Sequence, residues 1–134
     1  MTYGEKEVRE IMIKRFLASH PSEITASEYQ QVSRNTRNED LDFEDQIINA
    51  TLGIAGEAGE VSDTIKKDIY HGHIRNDIET AEELGDLLFY IAWVADVLGY
   101  DLGSIMQQNV NKLQGKEGRY EDGFSKEASI NRKR

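Results

Sequence analysis

One segment of this sequence is apolar on almost every side, and it limits the folds that the chain can adopt. Residues 84–98 read LGDLLFYIAWVADVL, in which only Asp86 and Asp96 are charged. A helix of this composition cannot expose any face to water without cost. We therefore expect it at the centre of a helical bundle on one side and at an oligomer interface on the other, with Trp93 in the core or at that interface.

Helical patterns account for most of the remaining chain. The predicted helices cover residues 5–18, 27–35, 45–70, 76–98 and 102–113. Pro21 separates the first two, Gly72 and Gly99 follow the two long ones, and Asn76 stands at capping-box spacing from Glu79. Because no alternating strand pattern occurs, we predict an all-α fold. It is expected to be a small bundle of about four to five helices whose core is completed by association with other subunits in an oligomer.

Three glycines interrupt the longest predicted helix, at positions 53, 56 and 59. Glycine inside a helix costs up to about 1 kcal/mol relative to alanine. Three of them within one helix therefore predict a close approach of a neighbouring helix, or a kink.

Composition narrows the class of protein further. A chain of 134 residues with 38% hydrophobic and 31% charged residues fits one domain with a small core, which a partner subunit often completes. No apolar run reaches the roughly 18–20 residues of a membrane span, and the N-terminus lacks the pattern of a secretory signal. We therefore expect a cytoplasmic protein without a membrane partner. The absence of cysteine excludes disulfides and thiolate metal sites.

The net charge of the chain limits the kinds of partner that it can bind. A net charge of −9 argues against binding to a nucleic-acid polymer, which needs a basic face. The only basic run is residues 132–134, which we interpret as a solvated tail. An acidic protein can still act on phosphates if divalent cations bridge the two.

Two pairs of acidic residues differ from the many others by their context. Glu57 and Glu60 follow the apolar residues 47–54, and Glu83 and Asp86 open the most apolar helix. Residues three apart share a helix face, so each pair projects two carboxylates in one direction. Carboxylates directed towards a core are costly unless compensated, and Mg²⁺ prefers oxygen ligands of this kind. Surface acids or carboxylates paired with lysines remain the alternatives.

Around these four carboxylates the sequence resembles the MazG-like family of the all-alpha NTP pyrophosphatase superfamily. The signature is E-x-x-E followed by E-x-x-D, within GEAGEVSDTIKKDIYHGH and EELGDLLFYIAWVA, with EYQQVSRNT upstream and NVNKL and RYEDGFS downstream. The resemblance covers residues 28–128. We therefore interpret residues 1–25 as an N-terminal helical extension and residues 26–134 as a MazG-like pyrophosphohydrolase domain.

The resemblance implies the Mg²⁺-dependent hydrolysis of a (deoxy)nucleoside triphosphate to the monophosphate and pyrophosphate. It implies four metal ligands: Glu57, Glu60, Glu83 and Asp86. Either Glu57 or Glu60 is expected to act as general base. The substrate-binding candidates are Lys67, Tyr90, Asn109, Lys112, Arg119 and Tyr120. Five residues separate Leu113 from Arg119, where the family pattern has about two.

The resemblance also implies partners. Mg²⁺ is the expected cofactor, with Mn²⁺ as a substitute, and a nucleoside triphosphate is the expected substrate. The expected assembly is a homodimer, or a homotetramer built from dimers. Two alternatives stay open: a related pyrophosphohydrolase acting on another substrate such as phosphoribosyl-ATP, and a non-catalytic helical oligomerisation module that retains a decayed metal site.

Overall fold

The computed structural model describes residues 2–73 and 76–131, and this part of the chain is helical without any strand. The helices are α1 (Tyr3–Ser19), α2 (Ala26–Thr36), α3 (Phe43–His71), α4 (Asp77–Val97), α5 (Leu102–Gln114) and α6 (Lys126–Ile130). The predicted all-α fold is confirmed, and α6 adds a five-residue helix that the sequence pattern did not predict. The basic run at residues 132–134 lies outside the described residues.

The predicted helix boundaries are set by local side chains. Pro21 lies in the connection between α1 and α2. The side chain of Asn76 caps α4 by accepting a hydrogen bond from the Glu79 N–H at 3.2 Å. Gly72 ends α3 with a φ of 68°, and Gly99 follows α4 with a φ of 78°. Both glycines adopt the left-handed conformation that other residues avoid, so the chain turns at these two positions.

Helix α4 lies at the centre of the bundle, as predicted. It packs against α1, α2, α3 and α5, and its most extensive partner is α3. The contact of Gly53 with Tyr90, and the 3.1 Å hydrogen bond between Thr64 and Thr80, show that α3 and α4 run antiparallel. The two pairs of carboxylates therefore lie on neighbouring helices that face each other.

The hydrophobic core of the single chain is small. Its buried members among the described residues are Ala50, Ala92, Trp93, Ala95 and Leu102. The solvent-accessible surface is 10279 Å², whereas a compact monomer of this mass exposes about 7,200 Å². Three apolar residues on successive turns of α4 remain exposed to solvent: Leu84 is 50%, Leu88 43% and Ile91 37% exposed. These three residues form an apolar strip along α4.

A buried ion cluster joins α2 to α4. Asp96 of α4 accepts hydrogen bonds from Arg34, and its Oδ2 lies 2.7 Å from Nη1 of Arg37. The hydrogen bond from Arg34 and the charge of Arg37 lower the pKa of Asp96, against the opposing effect of burial. The side chains of Asp96 and Arg37 are each only 8% exposed. This cluster fixes α2 against the middle of the bundle.

Gln30 of α2 forms hydrogen bonds with the connection between α4 and α5. Its amide nitrogen donates to the Tyr100 carbonyl at 2.8 Å, and its amide oxygen accepts from the Leu102 N–H at 2.8 Å. The axes of α4 and α5 differ in direction by 103° at this corner. In the described residues, no single helix is long and apolar enough to cross a membrane. Only α4 and α5 taken together have the length and the apolar composition that a membrane span needs, and they are bent at this corner.

The chain after α5 returns to the end of the helix. The Arg119 N–H donates to the Lys112 carbonyl at 3.0 Å, and the Tyr120 N–H donates to the Leu113 carbonyl at 2.7 Å. Gly118 allows this loop to close, because a Cβ there would lie 2.7 Å from a backbone oxygen of the same loop. The five residues that separate Leu113 from Arg119 are thus accommodated in a loop that folds back on the last turn of α5.

Candidate active site

Three carboxylates converge where α3 and α4 face each other. One oxygen from each of Glu57, Glu83 and Asp86 can be chosen so that all three lie within 4.8 Å of one another. Glu57 and Glu83 are half-buried, and Asp86 is exposed. The antiparallel packing produces this arrangement, because it sets the middle of α3 beside the first turns of α4. Hard oxygen donors at this separation suit a divalent cation such as Mg²⁺.

The electrostatics of the cluster favour the binding of a cation. Burial raises the pKa of Glu83, and the charge of Glu57 together with a hydrogen bond to it raises that pKa further, with smaller contributions from Asp86 and Glu60. No lysine, arginine or histidine in the described part of the chain forms an ion pair with these four carboxylates. Like charges held together without a cation oppose each other's ionisation. The residues present therefore fit a bound metal ion.

Glu60 lies one helical turn beyond Glu57 on α3, outside the group of three converging oxygens. It is exposed, and its charge still contributes to the raised pKa of Glu83. The structure therefore brings all four predicted carboxylates to one side of the α3–α4 pair, with Glu60 at the rim.

Lys67 follows Glu60 by two turns on α3 and stands at the edge of the same site. Its Nζ lies 2.6 Å from Asp63, which also holds Lys66 at 3.2 Å. The hydrogen bond and charge of Asp63 raise the pKa of Lys67, and the charges of Glu79 and Glu60 add to this effect. An exposed ion pair of this kind is weak, so Lys67 can exchange Asp63 for another anion at little cost.

Tyr90 lies one turn after Asp86 and is held between two neighbours. A Cβ on Gly53 would lie 2.4 Å from the Tyr90 ring, so only glycine permits this approach of α3 to α4. The ring also stacks with Trp93 at 5.9 Å between centroids and 15° between planes. Trp93 is 4% exposed and donates from Nε1 to Gln46 at 3.3 Å. Trp93 is therefore a core residue, as predicted, and it fixes the position of Tyr90.

The predicted substrate residues of α5 and the following loop form a separate group. Asn109 and Lys112 are exposed on α5, which packs against α2 and α4, and no residue of α5 approaches α3 within 8 Å between Cα atoms. The Arg119 guanidinium lies 5.8 Å from the centroid of the Tyr120 ring. Within one chain, α5 therefore does not come together with the α3 residues of the site.

Tyr29 of α2 is a site neighbour that the sequence reasoning did not single out. Its hydroxyl donates to the Gly85 carbonyl at 3.2 Å. Burial raises the pKa of Tyr29, and the negative charge of Asp86 raises it further. Tyr29 belongs to the segment EYQQVSRNT, which carries part of the family resemblance, but no local pattern in the sequence indicates its contact with α4.

Comparison with known proteins agrees with this geometry. Residues 45–120 match the model of the MazG nucleotide pyrophosphohydrolase domain. The chain belongs to the MazG family. The Gene 37 protein of Mycobacterium phage L5 is 34% identical over 86 residues, which are 60% of this chain and 74% of the phage protein. No solved structure matches the chain.

Membership in the MazG family establishes the general activity. The domain is that of a nucleotide pyrophosphohydrolase, which is a hydrolase acting on acid anhydrides, and MazG enzymes typically depend on a divalent metal. The matched residues include all four carboxylates, whereas α1 and α2 precede the match. The Asp96 cluster thus connects the matched residues to α2, which precedes them in the chain.

Proposed function

We propose that this MazG protein hydrolyses a (deoxy)nucleoside triphosphate to the monophosphate and pyrophosphate, and that the reaction requires Mg²⁺, with Mn²⁺ as a substitute. The observation that carries the proposal is the convergence of Glu57, Glu83 and Asp86 within 4.8 Å, without an ion pair to any basic residue of the described chain. Phosphoryl chemistry depends mainly on positioning and on stabilisation of charge, and this site offers both.

In this proposal Glu57, Glu83 and Asp86 would hold the cation, and Glu60 would serve as a further ligand. A bound divalent cation supplies charge neutralisation at the phosphates and lowers the pKa of a coordinated water. The general base is Glu57 or Glu60. Glu60 is the better placed of the two, because its carboxylate stands outside the converging group and is exposed to solvent water.

The remaining candidates take substrate-binding roles. Lys67 suits the phosphates, because it lies near Glu60 and pairs with the half-buried Asp63 while its own side chain is exposed. Tyr90 suits the sugar or the base, because its ring is fixed beside the carboxylates. Asn109 and Lys112 of α5, with Arg119 and Tyr120 of the loop that follows it, are proposed to contact the nucleotide as well.

We also propose that the protein is a homo-oligomer, a dimer or a tetramer built from dimers. The apolar strip of Leu84, Leu88 and Ile91 and the large surface of the single chain support this assembly. Light scattering at micromolar concentration tests it, and a stable monomer would contradict it. The domain boundary near residue 26 and the cytoplasmic location stay predictions.

The product of the reaction tests the proposed chemistry. Incubation of each common dNTP with the protein and Mg²⁺ should release monophosphate and pyrophosphate in equal amounts. Stepwise release of orthophosphate through a diphosphate would show a phosphatase instead. EDTA should abolish the activity, and Mn²⁺ should restore it.

A pair of variants tests the site itself. In EDTA, Glu83→Gln should melt at or above the temperature of the wild type, because it removes one of several mutually repelling charges. Mg²⁺ should stabilise the wild type more than this variant, and turnover should drop by orders of magnitude. Glu82→Gln is the matched control, since it removes the carboxylate of the adjacent residue on α4, which does not belong to the converging group. A Glu83→Gln variant with full activity would exclude this site.

A further inference from the structure

A groove adjoins the carboxylates on the side of Tyr90. It has a volume of about 490 Å³ and lies beside the first half of α3. Gly53 and Tyr90 form the end that is nearest to the metal site, since Gly53 precedes Glu57 by one turn and Tyr90 follows Asp86 by one turn. The groove is therefore continuous with the place where the phosphates of a nucleotide are proposed to bind.

The lining of this groove suits a flat aromatic ring. Leu41, Ile48 and Leu52 supply apolar surface, and Ile48 and Leu52 are 54% and 67% exposed, so they are available to a ligand. The ring of Tyr90 is held in place by the Trp93 stack. The groove is shallow and largely open to solvent, and its mixture of apolar surface with a small number of polar groups is the usual lining of a site for a small molecule.

Two polar side chains of α3 face the same groove. Asp45 and Asn49 are four residues apart, so they lie on one side of the helix, one turn from each other. Both are exposed, and neither side chain makes a hydrogen bond or an ion pair within residues 2–73 and 76–131. Asn49 precedes Glu57 by eight residues, which is about 12 Å along the helix axis. This distance is comparable with the length of a nucleoside monophosphate.

We propose that this groove binds the base of the substrate, and that Asp45 and Asn49 select bases that carry an exocyclic amine. The inference rests on the proposed hydrolysis of nucleoside triphosphates. An ionised carboxylate only accepts hydrogen bonds, so Asp45 attracts the amino group of cytosine, adenine or guanine and repels the O4 carbonyl of thymine or uracil. The Asn49 amide donates to the unprotonated ring nitrogen beside that amine, which is N3 of cytosine or guanine or N1 of adenine, whereas thymine and uracil present an N3–H donor beside O4. Thymine and uracil nucleotides are therefore the disfavoured substrates.

Binding of nucleotides that cannot be cleaved tests the proposal apart from catalysis. The probes are the α,β-imido analogues of dCTP, dATP, dGTP, dTTP and dUTP, titrated calorimetrically in the presence of Mg²⁺. Wild type should bind at least one amino-bearing analogue on the order of tenfold more tightly than the dTTP and dUTP analogues. Asp45→Asn should reduce this ratio to near one, because its amide supplies a donor for the O4 carbonyl.

Glu44→Gln is the matched control. Glu44 and Asp45 are both exposed acids in the first turn of α3, so the two variants lose the same interaction with the helix dipole. Glu44 does not line the groove, and its variant should keep the wild-type ratio. Equal affinities for all five analogues, a preference for uracil or thymine, or an unchanged ratio in Asp45→Asn would overturn the base assignment while the pyrophosphohydrolase activity stands. If no analogue binds, both the base assignment and the proposed nucleotide site are overturned.

Discussion

The contact between Gly53 and Tyr90 makes a specific prediction about alanine substitutions in α3. A Cβ added to Gly53 would lie 2.4 Å from two atoms of the Tyr90 ring, which is far inside van der Waals contact. A Cβ added to Gly56 or Gly59 would meet nothing within 4 Å. The same chemical change therefore acts in opposite directions at positions that are one turn apart.

The magnitudes follow from two opposing effects. Alanine in a helix interior is favoured over glycine by about 1 kcal/mol, and nothing opposes this gain at Gly56 or Gly59. At Gly53 the Tyr90 ring must move against its stacking contact with Trp93, and overpacking of this kind costs about 1–3 kcal/mol. Gly59→Ala should raise the melting temperature by about 2–5 °C, whereas Gly53→Ala should leave it unchanged or lower it by up to about 10 °C.

Thermal melts and pyrophosphate release, measured together, check this reasoning. Gly53→Ala should also lose activity, because displacement of Tyr90 disturbs the wall next to Asp86, while Gly59→Ala should keep the wild-type rate. The reasoning would be refuted if Gly53→Ala were as stable and as active as Gly59→Ala. Such a result would mean that α3 and α4 separate at this point without cost.

Three further predictions concern the surroundings of the site. Asp96→Asn should destabilise the fold by about 2–4 kcal/mol at pH 7 in urea melts. Because the folded state lowers the pKa of Asp96, its contribution is present above about pH 4 and is lost as the pH falls further, so the gap from wild type should narrow at pH 3. Tyr29→Phe should lower stability by about 0.5–1.5 kcal/mol in thermal melts, because the bond to the Gly85 carbonyl is lost, and a loss above about 3 kcal/mol would contradict this reading. Lys67→Met should raise the KM for the nucleotide about tenfold, and Lys66→Met, which breaks the other ion pair to Asp63, should not, so equal effects would remove Lys67 from the substrate site.

The sequence predicted the elements of this fold well because their signals are local. Hydrophobic periodicity and the turn glycines located α1 to α5, and the uniformly apolar composition of α4 placed it at the centre. The predicted close approach is found at Gly53 and not at Gly56 or Gly59, because it depends on what faces a residue, and Gly56 and Gly59 face open space. The helix α6 was missed because five residues carry too little periodic pattern.

The candidate site was predictable in part for the same reason. Two carboxylates three residues apart must share a helix face, so each pair could be found within its own helix. How the pairs meet depends on the register of α3 against α4, which gives a close group of Glu57, Glu83 and Asp86 and leaves Glu60 at the rim. The contributions of Tyr29 and of the Asp96 cluster come from a helix far away in sequence, and no local pattern reveals such contacts.

The central position of α4 has a consequence for the order in which the protein acquires structure during synthesis. Between α1, α2 and α3 no pair of Cα atoms comes within 8 Å in the described chain, so each of the first three helices packs closely against α4 and not against the other two. While α4 is still inside the ribosome, the nascent chain exposes three separate helices with unpaired apolar faces. Protease protection should therefore arise in one step once α4 has emerged, and a fragment that ends at residue 73 should be digested like an unfolded chain.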